Sequence, residues 1–296
     1  MRSDRFELVG AQGQRLSGRL DLPEGPVHAH ALFAHCFTCT KNSLAAVRIA
    51  RALTARGIGV LRFDFTGLGQ SEGDFADSTF SGSVQDLIAA AQAMLAAGIE
   101  PSLLIGHSLG GAAALAAAGE LSSLKAVVTI AAPFDVQHVA RLFGASLQTL
   151  IETGEAEVRL GGRPFLIRRA FVDDLRLHDQ GQRIAGLRCA LLVLHSPLDD
   201  TVDIGNATAI FQAARHPKSF VSLDDADHLL TRVADANYTA EIIAAWATRY
   251  LDRETPMRDA QDRGQGVVEE TGEGDSQIEV RAGAVASGSR DTPESR

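Results

Sequence analysis

The sequence predicts an α/β architecture: a mostly parallel central sheet with helices on both faces. Three observations carry this. From residue 28 to about 250, short apolar runs rich in β-formers alternate with longer runs whose apolar residues recur at helical spacing. Most of the short runs are apolar on both faces, as strands buried inside a parallel sheet must be. Between them lie glycines and polar residues suited to turns and helix ends.

Two short runs, Phe6 to Val9 and Leu16 to Leu22, come first with no helix between them, which predicts an antiparallel hairpin on the sheet edge. Strands are then expected over His28 to His35, Gly59 to Phe65, Ser102 to His107, Lys125 to Ala131, Cys189 to His195 and Ser219 to Leu223. Helices are expected over Ser43 to Arg56, Ser83 to Ala97, Leu109 to Leu121, Asp203 to Arg215 and Ala234 to Tyr250, with Gly57 and Gly98 as C-terminal stops. One segment breaks the alternation. Residues 136–187 are far longer than a single crossover helix requires, and Glu157 to Ile167 reads as a hairpin turning at Gly161-Gly162. A cap over the site is the expectation; a surface excursion is the plainer alternative. In a cap, Leu142, Phe143, Leu147, Phe165, Ile167 and Phe171 either line an apolar pocket or pack the insertion itself.

The domain reading is therefore one α/β domain over 1–252, with the cap insertion at about 136–187. Residues 253–266 are polar and read as a linker. Residues 267–296 hold too few apolar groups for a core, so they read as a disordered tail or the remnant of a second domain.

Composition narrows function. A formal net charge of −9 argues against a broad surface for nucleic acid or anionic lipid. With 5% aromatic residues, little is available for base stacking. The charged start Met1-Arg-Ser-Asp-Arg leads into no signal-like apolar run, and no apolar stretch approaches the roughly 20 residues of a membrane span. Three cysteines do not make the disulfide framework of a secreted domain, so a cytoplasmic location is expected.

The chemistry concentrates at Ser102-Leu-Leu-Ile-Gly106-His107-Ser108-Leu109-Gly110-Gly111, an apolar strand running through Gly-x-Ser-x-Gly into a small-residue helix. Such a turn strains the serine backbone and crowds its neighbours, so Gly106 and Gly110 are the residues that fit. The helix starting at Leu109 aims free N–H groups and its positive dipole end at the serine. A serine hydroxyl is a weak nucleophile at neutral pH and needs a base with an orienting acid. Strand Cys189 to His195 ends in His195-Ser-Pro-Leu-Asp199-Asp200, which puts acids just past the carboxyl end of the sheet. Asp199 is the preferred acid and Asp200 its competitor. His228 follows the last strand in Asp224-Asp-Ala-Asp227-His228, which offers Asp225 and Asp227 as further acidic candidates. The candidate triad is Ser108, Asp199 and His228. Among the nine histidines, His28, His138, His178 and His216 read as surface residues. His107 fills the variable position of the turn, and His195 shapes a strand end.

With these residues in place, the chain from about 5 to 250 resembles the serine α/β-hydrolases, in which the triad runs in the order Ser, Asp, His. Ala34-His35-Cys36-Phe37-Thr38 matches the loop after the third strand, where the family usually has His-Gly followed by an oxyanion-hole residue. The resemblance implies that the backbone N–H groups of Phe37 and Leu109 form that hole. Arg62-Phe-Asp-Phe-Thr-Gly67-Leu-Gly69-Gln-Ser71 is similar to the glycine-rich loop after the fourth strand, and His195 to Asp199 matches His-Gly-x-x-Asp with Ser196 in place of glycine. The same stretches, with His216 to Leu230, most resemble the hydrolase half of bacterial proteins in which an α/β-hydrolase is fused to an OsmC-like domain. Residues 266–283 are similar to the opening hairpin of that domain, whose peroxidase cysteines have no counterpart here.

The implied function is a carboxylic ester hydrolase acting through an acyl-enzyme, on a small-molecule ester or acyl substrate, with no cofactor or metal. A homo-oligomer is compatible with the sequence. Peptidase, lactonase and thioesterase chemistry use the same fold. Cys36-Phe-Thr-Cys39 supports a rival reading as a thiol–disulfide redox protein, since a thiol at a helix N-terminus is acidified. A non-catalytic hydrolase-fold partner is the third reading. A single Cys pair without a second pair at metal spacing argues against zinc, and Cys189 belongs to a buried strand.

Overall fold

The computed structural model describes residues 1–251, so the expected linker at 253–266 and tail at 267–296 lie outside the described residues. The chain opens with β1 (Arg2–Val9), β2 (Arg15–Leu22), β3 (Ala29–Ala34), α1 (Leu44–Thr54) and β4 (Ile58–Phe63). Then follow α2 (Phe80–Ala96), β5 (Pro101–His107), α3 (Leu109–Ala117) and β6 (Ala126–Ile130). The insertion supplies α4 (Ser146–Thr153), the hairpin β7 (Glu155–Leu160) and β8 (Arg163–Arg168), α5 (Arg169–Leu175) and α6 (Gln180–Ala185). The domain closes with β9 (Ala190–His195), α7 (Gly205–Ala213), β10 (Lys218–Ser222) and α8 (Val233–Leu251).

Eight strands form one sheet in the order β1-β2-β4-β3-β5-β6-β9-β10. β1 pairs antiparallel with β2, and β2 antiparallel with β4; every later pairing in this sheet is parallel. The first strand starts at Arg2, earlier than the apolar pattern suggests, because ladder hydrogen bonds to β2 continue through polar residues on an exposed edge. The central strands β4, β5, β6 and β9 are buried at every position. Their side chains alternate between two cores. Ala31, Phe33, Leu103, Ile105 and Val128 meet α1 and α8 on one face, and Leu32, Leu61, Leu104 and Val127 meet α2, α3 and the insertion on the other.

The helices follow from local chemistry. In α1, Ala45, Ala46, Ile49, Ala50 and Leu53 fall on one stripe and are buried. Helix α2 starts three residues before the expected Ser83 because Thr79 caps it, accepting from the Gly82 N–H at 2.9 Å. It ends at Gly98, whose φ of +74° is the left-handed conformation of a helix stop. Helix α3 is buried at all nine positions, which its glycines and alanines permit by letting it lie close to the sheet.

The insertion packs against loops that follow β3 and β4. Its hairpin turns at Gly161 and Gly162, with φ of +55° and +79°, the pair of positive angles that a two-residue type I′ turn demands. Phe165 of the hairpin packs on Phe75 with ring centroids 4.9 Å apart, and the Arg163 guanidinium donates to the Thr38 carbonyl at 2.5 Å. Arg168 pairs with Asp77. Each contact sets the hairpin onto loops at the carboxyl ends of β3 and β4. No helix among the described residues is long and apolar enough to cross a membrane.

Candidate active site

The site is built where β5 turns into α3. Ser108 has φ +57° and ψ −128°, a conformation that L-residues resist. A Cβ on Gly106 would run into the Gly110 carbonyl and Gly111 Cα, and one on Gly110 would strike the carbonyls of His35 and Ala34. The two glycines are therefore required by close approach of backbone to backbone, and the turn lifts the Ser108 hydroxyl above the sheet.

The structure brings Ser108, His228 and Asp199 together from three separate strand ends. The Ser108 Oγ–H donates to His228 Nε2 at 2.9 Å, and His228 Nδ1–H donates to Asp199 Oδ2 at 2.8 Å. Asp199 is held in turn, because its Oδ1 accepts from the N–H groups of Thr201 at 2.9 Å and Val202 at 2.8 Å. Burial by itself would raise the Asp199 carboxyl; hydrogen bonds from His228, Val202 and Thr201 outweigh it and hold the group below the ordinary aspartate range. The competitors are elsewhere. Asp200 is exposed and accepts from the Thr201 hydroxyl, Asp225 pairs with Arg232, and Asp227 accepts from the N–H groups of Leu229 and Thr231.

Phe37 and Leu109 flank this chain of contacts. Among the described residues neither backbone N–H has a protein acceptor, and both residues line a small, open pocket beside the turn. Its apolar wall comes from Phe37, Phe65, Leu68, Phe75, Leu109 and Ala113. None of the six cap residues named from the sequence lines it. Phe143, Ile167 and Phe171 are buried in the core, Phe171 stacks on Phe37 at 4.8 Å, and Leu142 is exposed. Phe143, Ile167 and Phe171 thus pack the insertion, and Phe171 joins it to the ring of Phe37.

Beneath the Phe37 loop lies a buried charge array that sequence reading missed. Lys41 and Asp64 are each 1% exposed and form an ion pair, with the Lys41 N–H donating to Asp64 Oδ1 at 2.7 Å. Gln70 N–H donates to the same carboxylate at 3.0 Å, while Arg62 donates to the Lys41 carbonyl and, at 2.6 Å, to Asp21. The array straps residues 36–41 to the glycine-rich loop. One signal was present: Arg62 is a charged residue inside the otherwise apolar strand β4.

Cys36 and Cys39 are joined as a disulfide, and Cys189 is free, with its thiol pushed up to about 11 by burial. Two readings are corrected. His138 is half-buried and donates to the Thr201 carbonyl at 2.9 Å, where a surface residue was expected. His178 is likewise packed, between Ser81 at 3.0 Å and Arg183 at 2.8 Å. Three other histidines, His35, His107 and His195, are buried at the ends of β3, β5 and β9, and burial lowers the pKa of each. For His107 the value falls to about 4, through burial first and the nearby His228 second.

Residues 26–163 match the family model described as serine aminopeptidase, S33. Among solved structures, the esterase domain of a Rhodothermus marinus protein is 50% identical over 85% of this chain and 100% of that one, with a TM-score of 0.71. The chain belongs to the serine α/β-hydrolase superfamily. More distant structures share its fold: Est1E from Butyrivibrio proteoclasticus with ferulic acid bound has 19% identity over 83% of this chain and 99% of that one, TM-score 0.74. A serine hydrolase without a lid from Xanthomonas campestris has 20% identity over 86% of this chain and 98% of that one, TM-score 0.60. No curated protein matches the chain.

Two outcomes are expected. Lys41→Met leaves the Asp64 carboxylate buried without its cation and should lower the unfolding free energy by about 3–5 kcal/mol in urea titrations. The second concerns pH. An unfolded His107 takes up a proton near its ordinary pKa of 6.5, whereas the native state refuses one until about 4. Native stability therefore falls as pH drops through that window, and His107→Gln, measured by urea unfolding at several pH values, should make the fall shallower.

Proposed function

We propose that the chain is a carboxylic ester hydrolase that works through an acyl-enzyme on Ser108. The carrying observation is the continuous contact chain from Ser108 Oγ to His228 to Asp199, at 2.9 and 2.8 Å. His228 Nε2 takes the hydroxyl proton as Ser108 attacks the ester carbonyl. The Asp199 carboxylate fixes the Nδ1–H tautomer and stabilises the imidazolium that forms. The free N–H groups of Phe37 and Leu109 receive the oxyanion of the tetrahedral intermediate. His228 then gives its proton to the leaving alcohol, and water repeats the sequence on the acyl-enzyme.

The choice of ester over amide rests on the 50% identical relative, an esterase domain, although the matching family model is described by an aminopeptidase. The pocket beside the two oxyanion donors suits an apolar acyl group, because three phenylalanines and two leucines are among its eleven lining residues. A dithiol reading has one observation behind it, the pairing of Cys36 with Cys39, and leaves the Ser108, His228 and Asp199 contacts without a purpose.

Ser108→Ala is expected to remove nearly all p-nitrophenyl acetate turnover and all labelling by a fluorophosphonate, while the fold persists. Asp199→Asn should lower kcat on the order of 10⁴-fold. Retained turnover in Ser108→Ala overturns the reading. Across p-nitrophenyl esters of increasing length, each methylene that enters the pocket should raise kcat/KM up to about fourfold until the pocket is full, after which longer chains lose rate.

A further inference from the structure

The loop that carries His228 is an awkward one. Asp224 and Leu230 adopt φ of +40° and +51°, which side-chain-bearing residues avoid, so the loop needs external anchors to keep its shape. Most anchors hold residues on either side of His228. The Ser196 hydroxyl donates to the Asp224 carbonyl at 2.9 Å, Arg48 donates to the Thr231 carbonyl at 2.7 Å, and the Asp227 carboxylate accepts from Leu229 and Thr231.

One anchor reaches the main chain of His228 itself. His107 Nε2 lies 2.7 Å from the His228 carbonyl oxygen, and the two rings lie 5.5 Å apart. His107 is buried and immediately precedes Ser108, so one residue ties the backbone of the nucleophile turn to the backbone of the base. A carbonyl accepts only, so the Nε2 must carry the proton.

We propose that His107 is a positioning residue for the general base: its Nε2–H donates to the His228 carbonyl and thereby sets the reach from His228 Nε2 to Ser108 Oγ. The inference rests on the ester-hydrolase reading for its kinetic consequence but not for the geometry itself. The loss of main-chain restraint at His228 lets its ring drift, and displacements of about 1 Å cost about 100-fold in rate. Burial supports the role by keeping the His107 ring neutral at the pH where ester hydrolysis runs.

Three forms of the full chain test this: wild type, His107→Leu, which removes the donor, and His107→Gln, whose amide N–H can take the place of Nε2–H. Proton NMR follows the downfield imidazole N–H of His228 shared with Asp199, p-nitrophenyl acetate gives kcat and KM, and thermal unfolding gives Tm. His107→Leu should lose the resonance and about 10- to 100-fold in kcat with KM nearly unchanged, and His107→Gln should restore both to within about threefold of wild type at a similar Tm. If His107→Leu fails to fold, His107→Asn, with a shorter reach, takes its place and should show the same loss. The proposal is overturned if the donor-lacking variant keeps the resonance and its kcat, or if a well-folded His107→Gln is as slow as that variant. If wild type neither turns over esters nor takes up a fluorophosphonate, the esterase reading falls, and the His228 resonance alone decides the role of His107.

Discussion

Ser108 is held at φ +57° and ψ −128°, and the rest of the site depends on that one unfavourable backbone conformation. Such a residue costs on the order of 1–3 kcal/mol and persists only where its surroundings over-determine it. Here the Ser108 N–H donates to the Ile130 carbonyl at 2.8 Å, and its own carbonyl accepts from Gly111 N–H at 2.8 Å. β5 is buried at every position on the way in, and α3 is buried at every position on the way out. The burial of these two elements offsets the strain, and the glycines at 106 and 110 keep the backbones close enough for it to hold.

Around that turn the protein uses two electrostatic devices. Under the Phe37 loop it buries full charges, and each is matched: Lys41 by Asp64, and Arg62 by Asp21. Breaking one partner of such a pair is far more damaging than the pair is stabilising, so the array specifies the loop path more than it adds stability. At the strand ends it buries histidines that burial keeps neutral. His35, His107 and His195 each face a backbone carbonyl of a loop at the site, at 2.8, 2.7 and 2.7 Å respectively. Neutral donors fix loops without adding charge beside the groups that must exchange a proton.

What was legible in the sequence was local. Gly-x-Ser-x-Gly between an apolar strand and a small-residue helix announces the turn because its constraints act within two residues of Ser108. The edge hairpin, the alternation of strands and helices, and the Gly161-Gly162 turn were legible for the same reason. The His178 cluster and the packing of Phe171 on Phe37 were not, since each joins the insertion to residues far away in the chain. The cap phenylalanines illustrate the limit: an apolar residue that lines a pocket and one that fills a core have the same chemistry, and only their neighbours tell them apart.

By itself, then, the sequence determined the class of fold, the strained turn and the order of the three residues now in contact, because periodicity and turn chemistry are written within a few residues. Asp199 was already the preferred acid from its place just past β9, whereas tertiary structure alone decided which rings wall the pocket and which buried groups hold the loops. His107 and the His228 carbonyl are separated by 121 positions, and Arg62 and Asp21 by 41. Over such separations the pairing is set by how strands order themselves in the sheet and where their ends converge, and no pattern of neighbouring residues encodes that distance.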